Sequence, residues 1–341
     1  MVRPMTAVAL LDPGAAAAWD DYVVAHPHAT FFHQLGWKQV LEATFRYRPC
    51  YFVARRAGAI VGVLPLFACG RRLVSLPHSV YGGALADDAE AEAVLVDAAR
   101  RLARRTGATA IELRNRHAPH LALAPLPIAV TFEKPLPARS ADVLAQLPGK
   151  SRNAVRQAIR HGLVSRVGDD LDALYPLLAA SYHRLGTPLL PRRLFESALR
   201  TFPDRTYILV IERDRRPVAA AFTLEYRGTV MPVWTGEAPG ARELRPSNIL
   251  FARLMEHGIA RGARRFDFGR TLVGNAGGIA FKRHQGFEPE PLPYQLDVLD
   301  GRPHPPLDPY NGWALRARQA WSRLPPWLAA SLGPSIIRFF P

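Results

Sequence analysis

Cysteine, lysine and acidic residues are all scarce in this 341-residue chain, and each scarcity closes off a class of function. The two cysteines, Cys50 and Cys69, form no Cys-x-x-Cys pair and accompany no metal-ligand spacing. That excludes a disulfide scaffold and a cysteine zinc site, and reads as a reduced cytoplasmic protein with two buried thiols. No apolar run approaches the ~18 residues that mark a membrane-spanning helix. The short run Ala7 to Leu11 stops at Asp12, which does not fit a secretory leader. His-Glu-x-x-His, phosphate-loop and dinucleotide glycine fingerprints and the nucleophile elbow are missing as well. His117 and His120 straddle Pro119 in what reads as a loop, so no metal centre is expected.

The deficit of acid leaves a formal charge of +15 and a pI near 10.5, which favour a polyanionic partner such as nucleic acid, a phosphorylated ligand or an anionic membrane surface. Only four of the 44 basic residues are lysines (Lys38, Lys134, Lys150, Lys282), so arginine supplies nearly all the positive charge. An arginine bias of this kind usually reflects genome composition. It nevertheless makes Lys282 a position where a compact ammonium is wanted rather than any cation.

What is present is a repeated order of elements. In the first half, Tyr51 to Ala54 and Ile60 to Phe67 flank the turn Arg55-Arg56-Ala57-Gly58. A strand region, Leu73 to Ala84, is interrupted at Pro77 and Tyr81-Gly82-Gly83. A helix capped by Asp87–Asp88 then ends at Gly107, and a strand follows to Arg114. In the second half, Tyr207 to Ile211 and Val218 to Tyr226 flank another turn. A strand over Thr229 to Thr235, a helix from about Ser247 to Gly262 and a strand over Arg265 to Phe268 complete the copy. Landmarks such as Tyr51 and Tyr207, Gly107 and Gly262, or Glu112 and Asp267 differ by 153 to 157 positions throughout. Solenoid repeats run about 20 to 50 residues, so the spacing implies a duplicated α/β (α+β) domain, each copy preceded by a helix.

Between the copies, Lys150 to Gly162 reads as a helix with Ser151 as N-cap, Gly162 as C-cap, and Val155 and Ile159 as its docking face. Arg152, Arg156 and Arg160 recur at i, i+4 and i+8 with no acid between Lys150 and Arg166. Like charges at this spacing repel by a few tenths of a kcal/mol per pair. The pattern suits either a solvated basic face or a phosphate-binding ridge.

The other chemically charged stretch is Phe266 to Phe287. Phe266 and Phe268 alternate with Asp267, Gly269 and Arg270 end the strand, and glycines at 274, 277 and 278 predict a mobile loop before Phe281-Lys282. One carboxylate and two cations at a strand end fit an anionic or acyl substrate, or a plain loop with its charges in water.

Taken together, Lys150-Ser151-Arg152, Arg156, Gly162, Leu185-Gly186-Thr187-Pro188, Phe266 to Arg270 and Phe281-Lys282 resemble the Fem family. These are non-ribosomal aminoacyl or peptidyl transferases built from two GNAT-like domains. The runs Ser75 to Gly83 and Glu112 to Asn115 resemble the branch associated with exosortase and exopolysaccharide gene clusters. The likeness spans about residues 28 to 300, without the coiled-coil arm that some members insert in the second domain.

The resemblance implies two tandem GNAT-like (BioF2-like acetyltransferase) domains, each a mixed sheet flanked by helices. Their expected limits are 1–145 and 146–300, with a Trp/Arg-rich tail over 301–341. It implies transfer of an acyl or aminoacyl group to an amine in cell-envelope or exopolysaccharide metabolism. The co-substrate would be aminoacyl-tRNA or acyl-CoA, with no tightly bound cofactor. An α-amino nucleophile (pKa about 7.7 to 8.0) needs no strong base, so oxyanion and leaving-group stabilisation matter most. Lys282 is assigned that role, Asp267 orients, and Arg270 holds phosphate. Tyr81, Asn115, Trp234 and Asn248 are expected to line the substrate groove.

Two alternatives stand beside this reading. One is an acyl-CoA-dependent GNAT, against which Glu237 and Pro239 count at the expected pyrophosphate turn, Gly236 to Glu243. The other is a non-catalytic basic protein that binds RNA or a membrane surface. It is motivated by a tail whose Trp313, Ala317, Ala320, Trp321 and Leu324 share one helical face, either packed on the second domain or lying at the inner face of the cell membrane.

Overall fold

The computed structural model describes residues 4–301 and 312–341. The chain divides into two compact units. One comprises Met1–Ala129, Pro291–Leu307 and Phe339–Pro341, and the other Val130–Glu290 and Asp308–Arg338. Residues 130–145, expected in the first domain, therefore belong with the second, and residues 291–300 with the first.

In the first unit the strands Thr6–Leu10, Arg48–Arg56, Ala59–Cys69, Arg72–Ser75, Ala110–Leu113 and Gln295–Val298 lie side by side in that order. All neighbours are antiparallel except Arg72–Ser75 against Ala110–Leu113, which are parallel. The helix Ala89–Thr106 crosses between those two parallel strands. Its start is fixed by Asp88, whose carboxylate accepts from the Ala91 N–H at 2.9 Å, and its end by Gly107 at φ 72°. Glu90 and Glu92 in the first turn and Arg104 and Arg105 in the last complement the helix dipole. Ala91, Leu95, Ala98, Ala99 and Ala103 recur at helical spacing and pack on Phe52, Leu64, Leu66 and Ile111 of the sheet.

The second unit repeats this arrangement strand for strand: Val164–Gly168, Thr206–Arg213, Arg216–Tyr226, Thr229–Glu237, Arg265–Asp267 and Glu133–Pro135. The pairings are again antiparallel except for the parallel fourth and fifth strands. The inner four strands of each sheet match the duplication read from sequence. The last strand does not follow chain order. Glu133–Pro135, which comes after the first copy, completes the second sheet, and Gln295–Val298, which comes after the second copy, completes the first.

The helix Gly149–Arg160 docks on the second unit's core through Val155 and Ala158, while Ile159 is 43% exposed. Ser151 is not its N-cap, since the helix begins two residues earlier. Ser151 is buried instead, and its hydroxyl donates to the carbonyl of His284. Gly162 ends the helix as expected at φ 76°, with Leu163 N–H returning to the Ala158 carbonyl at 3.2 Å.

The C-terminal helices Gly312–Ser322 and Pro326–Ile336 pack on the helix Leu171–Arg184 of the same unit. Arg318 donates to the Leu185 carbonyl at 2.7 Å and 3.1 Å, and the His183 ring meets the Leu324 carbonyl at 2.8 Å. The docked face is set by Ala314 and Arg318, with Trp321 and Leu324 half-buried. Trp313, Ala317 and Ala320, which the helical spacing grouped with Trp321 and Leu324, are exposed.

Candidate functional site

The second unit's parallel strands stay together for only two residue pairs, Thr229 with Arg265 and Val230 with Phe266. Past that point Thr229–Glu237 keeps only its antiparallel partner, Arg216–Tyr226. Pro232 has no N–H to give to a ladder, and the pairing with Arg216–Tyr226 steps from Thr223–Pro232 to Phe222–Trp234, skipping Val233. A bulge of this kind re-aims a strand next to a site. The equivalent strands in the first unit also part after Val74 and Glu112, but there the segment Leu76–Gly83 returns, with Gly82 bridging Asn115 and its N–H donating to the Arg114 carbonyl at 2.7 Å. A side chain at Gly83 (φ 90°) would lie 1.9 Å from the Asn115 amide oxygen, so only glycine allows this re-closure.

On the far side of the second unit's parting strands lie Asp267, Arg270 and Lys282. Asp267 is buried, and its Oδ1 accepts from the Gly269 N–H at 2.7 Å and the Thr131 hydroxyl at 3.0 Å. The first bond closes a turn two residues on, which the positive φ of Gly269 (65°) permits. Arg265 pairs with Glu133. The expected glycine loop is largely a helix. Asn275 accepts from the Gly278 N–H at 3.0 Å and starts Ala276–His284, so Gly277 and Gly278 occupy its first turn. The glycines signalled a loop, and the Asx cap two residues earlier overrode them.

Lys282, in the last turn of this helix, reaches back to the strand end. Its ammonium donates to the Thr271 hydroxyl at 2.6 Å and the Phe268 carbonyl at 3.2 Å. It stands 5.1 Å from the centre of the Phe132 ring and 5.2 Å from that of Phe268. Desolvation lowers its pKa from 10.5 to about 8, against the opposing pull of the Asp267 charge. An ammonium has three donors, so one remains for a further acceptor.

Arg270 is half-buried, and its charge acts on the phenol of Tyr182, whose ionisation burial pushes well up. Tyr182 lies on Leu171–Arg184, which approaches the end of the fourth strand so closely that a side chain at Gly236 would meet the Leu177 backbone at 2.4 Å. Sequence reasoning missed Tyr182, because no local signal links it to Arg270. It also missed Lys134, whose ammonium lies 4.3 Å from the centre of the Phe287 ring and is pushed down by burial.

The turn between the fourth strand and the helix Pro246–Ala260 carries its own anion. Glu237 Oε2 accepts from the Ser247 hydroxyl at 2.6 Å, and Pro246 removes an amide donor from the helix start. A phosphate approaching those N–H groups meets a carboxylate already in place.

The remaining predicted residues scatter. Lys150, Arg156 and Arg160 are exposed on Gly149–Arg160, whereas Arg152 is half-buried and donates to the Ala145 carbonyl at 3.2 Å. Trp234 is buried against Phe195 and Phe222, and Asn248 lies in the first turn of Pro246–Ala260. Tyr81 and Asn115 belong to the first unit. Tyr81 is buried beside Phe32 and Arg116, and the Asn115 amide donates to Pro293 and Gln295 at 3.1 Å. There it holds the last strand rather than reaching outward, although it also walls a cavity shared with His26, His28, His117 and Glu92. Among the described residues no group of histidine, cysteine and acidic side chains is arranged to hold a metal ion, and no helix is long and apolar enough to cross a membrane.

Residues 149–283 match a family model described as Acetyltransferase (GNAT) domain, less than half of the chain. No curated protein sequence matches it. Among solved structures, FemX superposes with a TM-score of 0.65 at 14% identity, covering 86% of this chain and 98% of that one. A tandem GNAT protein from the clavulanic acid biosynthesis pathway gives 0.53 at 15% identity, covering 88% and 100%. The C-terminal domain of a putative lysylphosphatidylglycerol synthetase from Agrobacterium fabrum gives 0.54 at 15% identity, covering 94% and 96%. With the strand-for-strand duplication, these likenesses establish that the chain has the tandem GNAT fold, with its GNAT acetyltransferase domain over residues 149–283.

Proposed function

We propose that the second unit transfers an aminoacyl group from aminoacyl-tRNA to an amine-bearing acceptor of the cell envelope or its exopolysaccharide. The observation that carries this reading is the desolvated Lys282 ammonium, held at the end of a bulged, parting parallel pair beside Asp267 and Arg270. In the reaction the amine lone pair attacks the ester carbonyl carbon, the C–O bond to the donor breaks, and an amide forms. The nucleophile loses one proton and the departing oxygen gains one. Lys282, still mostly protonated at pH 7, supplies a charged donor to the oxyanion and the leaving oxygen. Arg270, with the Tyr182 phenol alongside, holds the donor's phosphate or carbonyl end. Asp267 sets the strand end and supports the ammonium. The exposed Lys150, Arg156 and Arg160 add a sequence-independent grip on a polyanionic donor.

A tRNA donor is favoured over acyl-CoA because Glu237 and Pro246 stand where pyrophosphate would seek backbone N–H groups. The name of one structural neighbour, a lysylphosphatidylglycerol synthetase, also points to an aminoacyl rather than an acetyl group. The test is transfer of radiolabel from a mixed aminoacyl-tRNA pool, and separately from acetyl-CoA, into a membrane extract. Lys282→Ala should cut turnover about a hundredfold. Because Lys282 also ties Phe268 to Thr271, Lys282→Met and the melting temperature of both variants separate a catalytic loss from a folding loss. Unchanged turnover in folded Lys282→Ala refutes the assignment, and label taken up only from acetyl-CoA refutes the donor.

A further inference from the structure

The two C-terminal helices pack against the rule for surface helices. A helix on a soluble protein ordinarily turns its large apolar side chains inward. Here Pro326–Ile336 docks through the small residues Ala329 and Gly333, with Ile337 just beyond, and a side chain at Gly333 would come within 2.6 Å of the Leu189 N. Trp327 at 72% exposure and Leu332 at 40% face out, while Leu328 and Ile336 are half-buried. Gly312–Ser322 does the same, docking through Ala314 and exposing Trp313 (59%) and Leu315 (41%).

Charge is distributed to match. In a chain with 21% charged residues, positions 324–337 carry none, and Arg323 and Arg338 bracket them. Arg316 and Arg323 are exposed, and the whole chain has a formal charge of +15. Exposed tryptophan and leucine beside arginine, on helices held flat by small residues, match the chemistry of a bilayer's headgroup region. Burying the same residues against a soluble acidic partner would leave the arginines matched but the uncharged stretch unexplained.

We propose that the outward face of these two helices docks on an anionic lipid bilayer surface without crossing it. This is independent of the transfer chemistry, which lies on other elements of the unit. It also joins two readings that the tail left open, since one face packs on the protein and the other is free to meet lipid.

The test is co-sedimentation of the full chain with vesicles of phosphatidylglycerol and phosphatidylcholine, and with phosphatidylcholine alone. Wild type should pellet with the anionic vesicles and much less with the neutral ones. The triple variant W313S/W327S/L332S, altered only at exposed positions, should keep its melting temperature and lose partition about a hundredfold. R316E/R323E should weaken binding to anionic vesicles alone. Equal pelleting of wild type and triple variant overturns the proposal, as does equal binding to both lipid mixtures. Retention on unstructured RNA with no vesicle binding assigns the face to nucleic acid and overturns it. So does a lipid-free dimer that the triple variant dissolves, which would assign the face to a second copy of this chain.

Discussion

Replacing Lys282 by methionine isolates the cost of holding an ammonium against Phe132 and Phe268. The folded pKa of about 8 lies below the ordinary 10.5, so the native state binds fewer protons than the unfolded chain between those values. Stability therefore rises with pH across that window and is flat below it, where both states are protonated. Integrated from pH 7 to pH 9.5, a shift of this size contributes about 2 kcal/mol. In the methionine variant the titrating group is gone, while Lys134 and the buried tyrosines titrate as before. The difference in unfolding free energy, wild type minus Lys282→Met, should then grow by about 2 kcal/mol over that interval. Urea unfolding at half-unit pH steps, followed by tryptophan fluorescence, measures it. A difference that stays level from pH 7 to 9.5 would refute the burial argument and with it the claim that Lys282 is electrostatically poised. Activity tests the same group with the opposite sign: if the ammonium is the working form, kcat/KM should fall as pH rises through about 8, and the variant should lack that limb.

Other consequences are more local. Gly83→Ala forces a side chain at φ 90° onto the Asn115 amide and should destabilise the first unit by about 2–4 kcal/mol in thermal melts. Glu237→Gln removes the carboxylate at the start of Pro246–Ala260, so acetyl-CoA should raise the melting temperature of the variant more than that of wild type. An equal shift in both proteins would mean that Glu237 does not guard the turn. Arg156→Glu with Arg160→Glu should weaken tRNA binding and lower the slope of log K against log salt by about 2, with little change in acetyl-CoA response.

The duplication was legible because its signals are local. Asp88 before Ala91, Gly107 and Gly162 after helices, and the turns at Arg55–Gly58 and Arg213–Arg216 each act within a few residues. The same locality exposed Asp267, Arg270 and Lys282 as charges gathered at one strand end. It failed where two local signals competed: the glycines at 277 and 278 argued for a loop, and the Asn275 cap made them a first helical turn. On the tail, hydrophobic spacing grouped Trp313 with Trp321 and left open whether that face meets protein or membrane; in the structure Trp313 is exposed and Trp321 half-buried. At Gly333 the close approach of Leu189 leaves no room for a side chain, a constraint set by a segment more than a hundred positions away.

The sequence by itself determined the order of strands and helices within each copy, where most helices end, and which residues bring charge to the end of the fifth strand. Only the tertiary structure decided that Glu133–Pro135 and Gln295–Val298 each complete the sheet of the other copy, that Tyr182 stands near Arg270, and that Lys282 is desolvated between two rings. Caps, turns and periodicity are properties of neighbouring residues. Strand partners and burial depend on segments a hundred or more positions apart, and no spacing along the chain encodes which of two equivalent edges a strand will join.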